Sequence, residues 1–292
     1  ATRNFLEHPV LLTREELERA CQRIVEADWA RSWIEGHKAK ADFVLAQGPD
    51  YVEAMLSELT PWFGYGFTCP NCVGRLSQEG VGKSLYSWSR DEPEVIRCNR
   101  CGQTYPSVDY PETAHLVCPR GQQAFLFYLN DAQRECAEDR SGKLAYHWVG
   151  RPMHMSFSGL VRFEKVAFMI GAVQSLAYMY QMTDEASYAE KAVAILGRLA
   201  HCYPNWLYHD YWGAVADCDP MYAAWHDQAL PLEFKRHLCT EAFKGDTLER
   251  ARMLQNYWGA GRYHPSTDSI GTLAGICMAY DLVYDAPQWT PK

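Results

Sequence analysis

No run of about 18 apolar residues occurs in the 292-residue chain, so nothing in it spans a membrane as a helix. The longest apolar-leaning stretch, Val166 to Tyr180, is interrupted by Gln174 and Ser175 and reads as a buried helix. An excess of positive charge is also missing. Lys and Arg total 28 against 36 Asp and Glu, a net charge of −8, which argues against a broad nucleic-acid-binding surface. No strict internal period is visible, which argues against regular helical repeat arrays. No leader pattern is visible at Ala1, so the protein is cytosolic or its leader has been removed; a start without Met suits a processed or trimmed chain. Disorder is excluded by what is present. With 48% hydrophobic and 22% charged residues, the composition is that of a folded globular protein.

Two residue types are abundant. Aromatics reach 13%, with 10 Trp and 18 Tyr. Surplus rings serve either core packing or stacking on the apolar faces of sugars, and composition does not separate the two. Cysteine is the other, with 11 in the chain. Four form a pattern: Cys69-Pro-Asn-Cys72 and, after 25 residues, Cys98-Asn-Arg-Cys101-Gly102. Each CxxC turn aims two thiolates at one point, and two turns close a tetrahedron around Zn²⁺. Gly102 permits the tight backbone of the second turn. Two disulfides or four buried thiols are the alternatives. A four-thiolate zinc site is coordinatively closed and therefore structural. Leu85, Tyr86, Trp88, Val95 and Ile96 between the knuckles suit a small β-ribbon. The remaining cysteines show no paired spacing. Cys21, Cys202, Cys239 and Cys277 sit among apolar residues and read as small core hydrophobes.

Along the chain, Thr13 and Glu16 form a capping box that starts a helix running to about Glu26, with Leu12, Leu17, Ala20, Cys21 and Ile24 as its apolar stripe. Helical stretches follow at about Trp29–Gln47 and Tyr51–Leu59. Residues 61–118 form the zinc-ribbon insert, after an N-terminal helical segment over 1–60. Helical pattern returns at Gln122–Cys136, and 140–158 looks irregular. A long apolar helix is expected over Val161–Met182, then one capped by Thr183 over Glu185–Tyr203. An aromatic loop over 204–229 carries Trp206, Tyr208, His209, Tyr211 and Trp212. Further helices are expected at about 231–257 and Asp268–Tyr284. Strand signals are nearly confined to the insert. Helix pairs of this kind build a bundle, a solenoid or an (α/α) toroid, here over 119–292. The closing Pro287-Gln288-Trp289-Thr290-Pro291 reads as the start of another helix, so more protein is expected beyond Lys292.

Three stretches resemble one family. The opening "EHPVLLTREELERACQRI", the insert "CPNC…CNRCGQTYP" and the stretch "GRYHPSTDSIGTLAGICMAYDLVYDAPQWTPK" are similar to bacterial polysaccharide lyases of the heparinase II/III-like superfamily. The resemblance implies an incomplete (α/α) toroid followed by a β-sandwich domain beyond this chain. It implies a uronate-containing substrate, with glycosaminoglycans of the heparin and heparan sulfate type first. It also implies β-elimination: a group neutralises the carboxylate, a Tyr or His base takes the C5 proton, and an acid protonates the departing O4. The family's Asn/His pair and catalytic Tyr are expected beyond Lys292, and no Asn-His dipeptide occurs here. No catalytic residue is therefore carried over.

Candidate substrate contacts are Arg262 and His264 before the last helix, and Tyr208, His209 and Trp212 in the aromatic loop. Arg262 offers charge-assisted bonds to a uronate or sulfate, or else caps a helix. His147, Arg151 and His154 form a further loop of interest. Partners implied are the acidic polysaccharide and the C-terminal remainder of the same protein, with no nucleic acid. The substrate implies the periplasm or the cell exterior. Two other readings stay open. A helical-toroid glycoside hydrolase would need paired carboxylates, for which Asp210, Asp217, Asp219 and Asp227 are available. A non-enzymatic zinc-ribbon module is disfavoured by the balance of Arg75, Lys83, Arg90 and Arg97 against Glu79, Asp91, Glu92 and Glu94.

Overall fold

The capping box at Thr13 opens the first helix, α1 (Arg14–Glu26): the Glu16 N–H donates to Thr13 Oγ1 at 3.2 Å, and the Thr13 N–H donates to Glu16 Oε2 at 2.9 Å. The computed structural model describes residues 9–62, 69–72, 85–117, 123–128, 146–148, 151–153, 156–207, 261–264 and 272–287. The described part is mainly helical with small antiparallel sheets. By its internal contacts the chain divides into two units, each discontinuous in sequence. One holds 1–56, 166–201 and 269–292; the other holds 57–165 and 202–268.

The first unit contains α1, α2 (Asp28–Leu45), α3 (Tyr51–Met55), the greater part of α4 (Phe157–Thr183), nearly all of α5 (Ala186–Cys202) and α6 (Leu273–Val283). Its apolar centre includes Ala41, Val44, Leu176, Ala189, Ile195 and Val283, all buried. Polar contacts fix how the helices meet. The Tyr188 hydroxyl donates to Asp42 at 2.6 Å, joining α5 to α2. The Arg198 guanidinium donates to the Leu56 carbonyl at 3.0 Å. Gly275 on α6 leaves the space that the Gln174 amide of α4 fills, where a Cβ would meet that amide. α1 has no fully buried residue; Leu17, Ala20 and Ile24 are half-buried and Cys21 is exposed.

The second unit carries the sheets. β1 (Tyr86–Ser89), β2 (Glu92–Cys98) and β3 (Thr104–Tyr105) form one antiparallel sheet in that order. Tyr86 pairs with Cys98, and Ile96 pairs with Tyr105. β4 (Glu112–Val117) pairs with β5 (Gln123–Tyr128), and β6 (Tyr146–Trp148) pairs with β7 (Arg151–Met153). The first turns of α4 are tied to this unit by three polar contacts. Glu112 accepts the Ser158 N–H at 3.2 Å, Arg162 Nε donates to the Thr60 carbonyl at 3.0 Å, and the buried Lys165 ammonium meets Glu94 at 2.6 Å.

Several expectations need correction. The helix read over Gln122–Cys136 is, in its described part, strand β5; cross-strand pairing with β4 decides what a short apolar run of ambiguous period becomes. Strands also extend beyond the insert, because residues read as irregular form the β6–β7 hairpin. The long helix starts at Phe157 instead of Val161, and α3 ends at Met55 instead of Leu59. Thr183 closes α4: its hydroxyl donates back to the Met179 carbonyl at 2.8 Å while accepting the Glu185 N–H at 3.3 Å. Cys202 is buried as expected, but Cys21 and Cys277 are exposed; Cys239 lies outside the described residues. So does the helix expected over 231–257.

Candidate metal centre

Local backbone chemistry makes both knuckles. At the first, Pro70–Cys72 is a 3-10 turn in which the Cys72 N–H donates to the Cys69 carbonyl at 3.0 Å. At the second, Gly102 adopts φ +75°, a left-handed conformation that any side chain would strain. That turn lets the Gly102 N–H reach the Cys98 carbonyl at 2.9 Å and the Cys98 N–H reach the Gln103 carbonyl at 2.8 Å. The Asn99 N–H, bonded to the Leu85 carbonyl at 2.8 Å, holds the knuckle onto the residue preceding β1.

The two turns bring four sulfurs together. The Sγ atoms of Cys69, Cys72, Cys98 and Cys101 all lie within 4.8 Å of one another. Cys69 and Cys101 are 3.6 Å apart, and all four are free thiols, so neither knuckle nor pair is a disulfide. A tetrahedron of Zn–S bonds near 2.3 Å places its sulfurs about 3.8 Å apart. The donor set therefore fits a soft divalent metal of zinc type. Cys69, Cys72 and Cys98 are buried, while Cys101 forms the solvent-facing corner.

The thiols are not equivalent. Burial pushes Cys69 and Cys72 upward. At Cys101 burial also works upward, but hydrogen bonds from the Asn71 side chain, the Gln103 backbone and Cys72 outweigh it and hold the thiol down at about 6. One corner is thus ready as a thiolate, and Cys69 and Cys72 would give up their protons to bind a metal. A residue not singled out in the sequence completes the cluster. The Tyr105 hydroxyl lies 2.9 Å from Cys69 Sγ, and its ring is fully buried. Its signal in the sequence was an aromatic residue four positions after the last cysteine.

The candidate substrate contacts fall as follows. Arg262 Nη1 donates to the Pro204 carbonyl at 3.1 Å and to the Trp206 carbonyl. His264 stands 5.8 Å from Phe163, whose ring stacks on Tyr263 at 4.6 Å and 8°. Tyr208, His209, Trp212 and His154 lie outside the described residues, and so do Asp210, Asp217, Asp219 and Asp227. His147 lies in β6 and Arg151 in β7.

The tryptophans divide by role. Trp62 and Trp206 are fully buried in the second unit, whereas Trp29 and Trp33 on α2 are 67% and 46% exposed. One helical turn apart, they share a face. They line a cleft of about 400 Å³ in the first unit, together with Arg19, Arg23 and Ile24 of α1 and Met182 of α4. The signal missed in the sequence was this i, i+4 pair. No family model matches the chain, and no curated protein and no solved structure is found to match it. No described helix is long and apolar enough to cross a membrane.

Proposed function

We propose that the chain is the helical part of a polysaccharide lyase acting on a uronate-containing glycan, heparin or heparan sulfate first, and that the four cysteines of its two knuckles hold a structural zinc ion. The observation that carries the glycan reading is the exposed Trp29–Trp33 pair beside Arg19 and Arg23. Indole faces stack on the apolar face of a pyranose, and guanidinium groups pair with its carboxylate. Further support comes from Asp281. Its carboxylate accepts the N–H groups of Val10 at 2.9 Å and Leu11 at 2.8 Å. Those residues lie in the first and third of the stretches that resemble heparinase II/III-like lyases.

In this reading the helix pairs belong to an incomplete (α/α) toroid, residues 61–118 are a zinc-ribbon insert, and a β-sandwich follows. Zinc, when bound, crosslinks the two knuckles and supplies folding energy, with no open position for chemistry. Cys69, Cys72, Cys98 and Cys101 hold it. The eliminating base and acid are assigned to no residue here; the part of these residues is to bind and orient the acidic chain. Arg262, His264, Tyr208, His209 and Trp212 are its second set of candidate contacts. Polymers of this class are met in the periplasm or outside the cell, which is the proposed location.

The test mixes the protein with heparan sulfate, chondroitin sulfate, hyaluronan, alginate and ulvan while ultraviolet absorbance is followed. The expected result is retention of the chain on one glycan and, where the part of the protein that carries the base and acid accompanies it, a rise from the C4=C5 bond of the product. Trp29→Ala and Arg23→Ala should each weaken retention on that glycan about tenfold, the equivalent of about 1.4 kcal/mol. A flat trace with no retention on any of the glycans overturns the reading. Saturated products in place of unsaturated ones overturn the lyase and point to a hydrolase.

A further inference from the structure

We infer that Tyr105 is an outer-sphere partner of the metal centre, donating its hydroxyl proton to the Cys69 thiolate, and that it joins the centre to the start of α4. The inference rests on the metal reading above and concerns a residue that reading does not use.

The geometry is specific. Tyr105 Oη lies 2.9 Å from Cys69 Sγ in a fully buried setting. A phenol placed there without a partner would cost the desolvation of its hydroxyl, and Cys69 satisfies it. When a metal displaces the cysteine proton to solvent, the sulfur can only accept, so the phenol becomes the donor. A donor at a ligating sulfur withdraws charge from it and fixes its orientation. The strand register sets the position: Tyr105 pairs with Ile96 on β2, two residues from the ligand Cys98. Neighbouring rings pack around the Tyr105 ring. It stacks on Phe157, the first residue of α4, at 4.3 Å and 19°, and meets Tyr86 edge-on at 5.9 Å. Tyr110 leans on Tyr105 at 5.3 Å and donates its own hydroxyl to Asn71 Oδ1, inside the first knuckle, at 3.3 Å. One aromatic cluster thus touches the first knuckle at Cys69 and Asn71 and the first residue of α4.

Tyr105→Phe is the test, because it deletes the hydroxyl and keeps the ring. Zinc affinity is measured by competition with a chromophoric chelator, and the sulfur-to-metal charge-transfer band is recorded on the Co²⁺-substituted protein. The expected result is a 10- to 100-fold weaker affinity, roughly the range for lost outer-sphere partners, together with a shifted band. A merely structural role for the ring would leave the band in place. A measurement on the unaltered protein stands beside the variant. In a cadmium-substituted sample, magnetisation passes between the metal nucleus and the Tyr105 hydroxyl proton through Cys69 sulfur. A variant that matches the wild type in affinity and band overturns the inference, as does absence of that transfer. Failure of the wild type to take up zinc, cobalt or cadmium overturns the metal reading itself, a result distinguishable from the other two.

Discussion

At the scale of one residue, His37 shows how neighbours fix a protonation state. Ser175 donates its hydroxyl to the Gly171 carbonyl at 2.9 Å, so toward His37 Nδ1, also 2.9 Å away, its oxygen acts as acceptor. Nδ1 therefore carries the proton. Trp33 and Tyr178 flank the ring at 4.3 and 5.1 Å. Burial, and secondarily the charge of Lys40, hold the imidazole below the usual histidine value. The sign follows. On acidification the unfolded chain takes up this proton first, so the stability held by neutral His37 is present above about pH 6.5 and is lost as pH falls below it. A nuclear magnetic resonance titration should place the His37 midpoint below about 6.5, and His37→Gln should flatten the acid-side loss of melting temperature. A midpoint at or above the ordinary value would contradict this account. The sequence showed only a histidine in a helix; Trp33 lies one turn away on α2, but Ser175 and Tyr178 come from distant positions.

At the scale of elements, α6 and the segment before α1 are joined by one buried carboxylate. Asp281 takes the amides of Val10 and Leu11, groups that a helix lead-in otherwise leaves to water. Hydrogen bonds to a charged group are worth about 1.5–3 kcal/mol each. Asp281→Ala should lower stability by about 3 kcal/mol in chemical denaturation. It should also speed hydrogen exchange at Val10 and Leu11 while leaving the α2 amides protected. Boundaries were legible where local chemistry sets them: the Thr13–Glu16 box starts α1, and strands lie where Tyr86, Trp88 and Ile96 were read as ribbon. They were not legible where pairing sets them. Phe125, Leu126 and Tyr128 suit a helix or a strand equally, and register with β4 chose the strand.

At the scale of the whole chain, the two units differ in what holds them. The first is built from helix faces and depends on apolar contact. The second contains short strands and the cysteine cluster, and strands this short gain little stability from their own ladders. Chelation should therefore act unevenly. Stripping the metal should lower the melting temperature and open the segment 85–105 to proteolysis before α2 or α5 is cut. Equal resistance with and without chelator would show that these thiols carry no stabilising ion. The sequence by itself determined the knuckles, the capping box, the left-handed glycine and the mainly helical character of the described residues, because each is a matter of neighbours within a few positions. It also named the four cysteines whose sulfurs cluster, since their spacing is itself the geometric requirement. Only the tertiary structure decided that Tyr105 meets Cys69, that Asp281 holds Val10 and Leu11, and that Trp29 and Trp33 are exposed while Trp62 and Trp206 are buried. Those facts depend on which distant surfaces pack together, and residue type alone does not encode that.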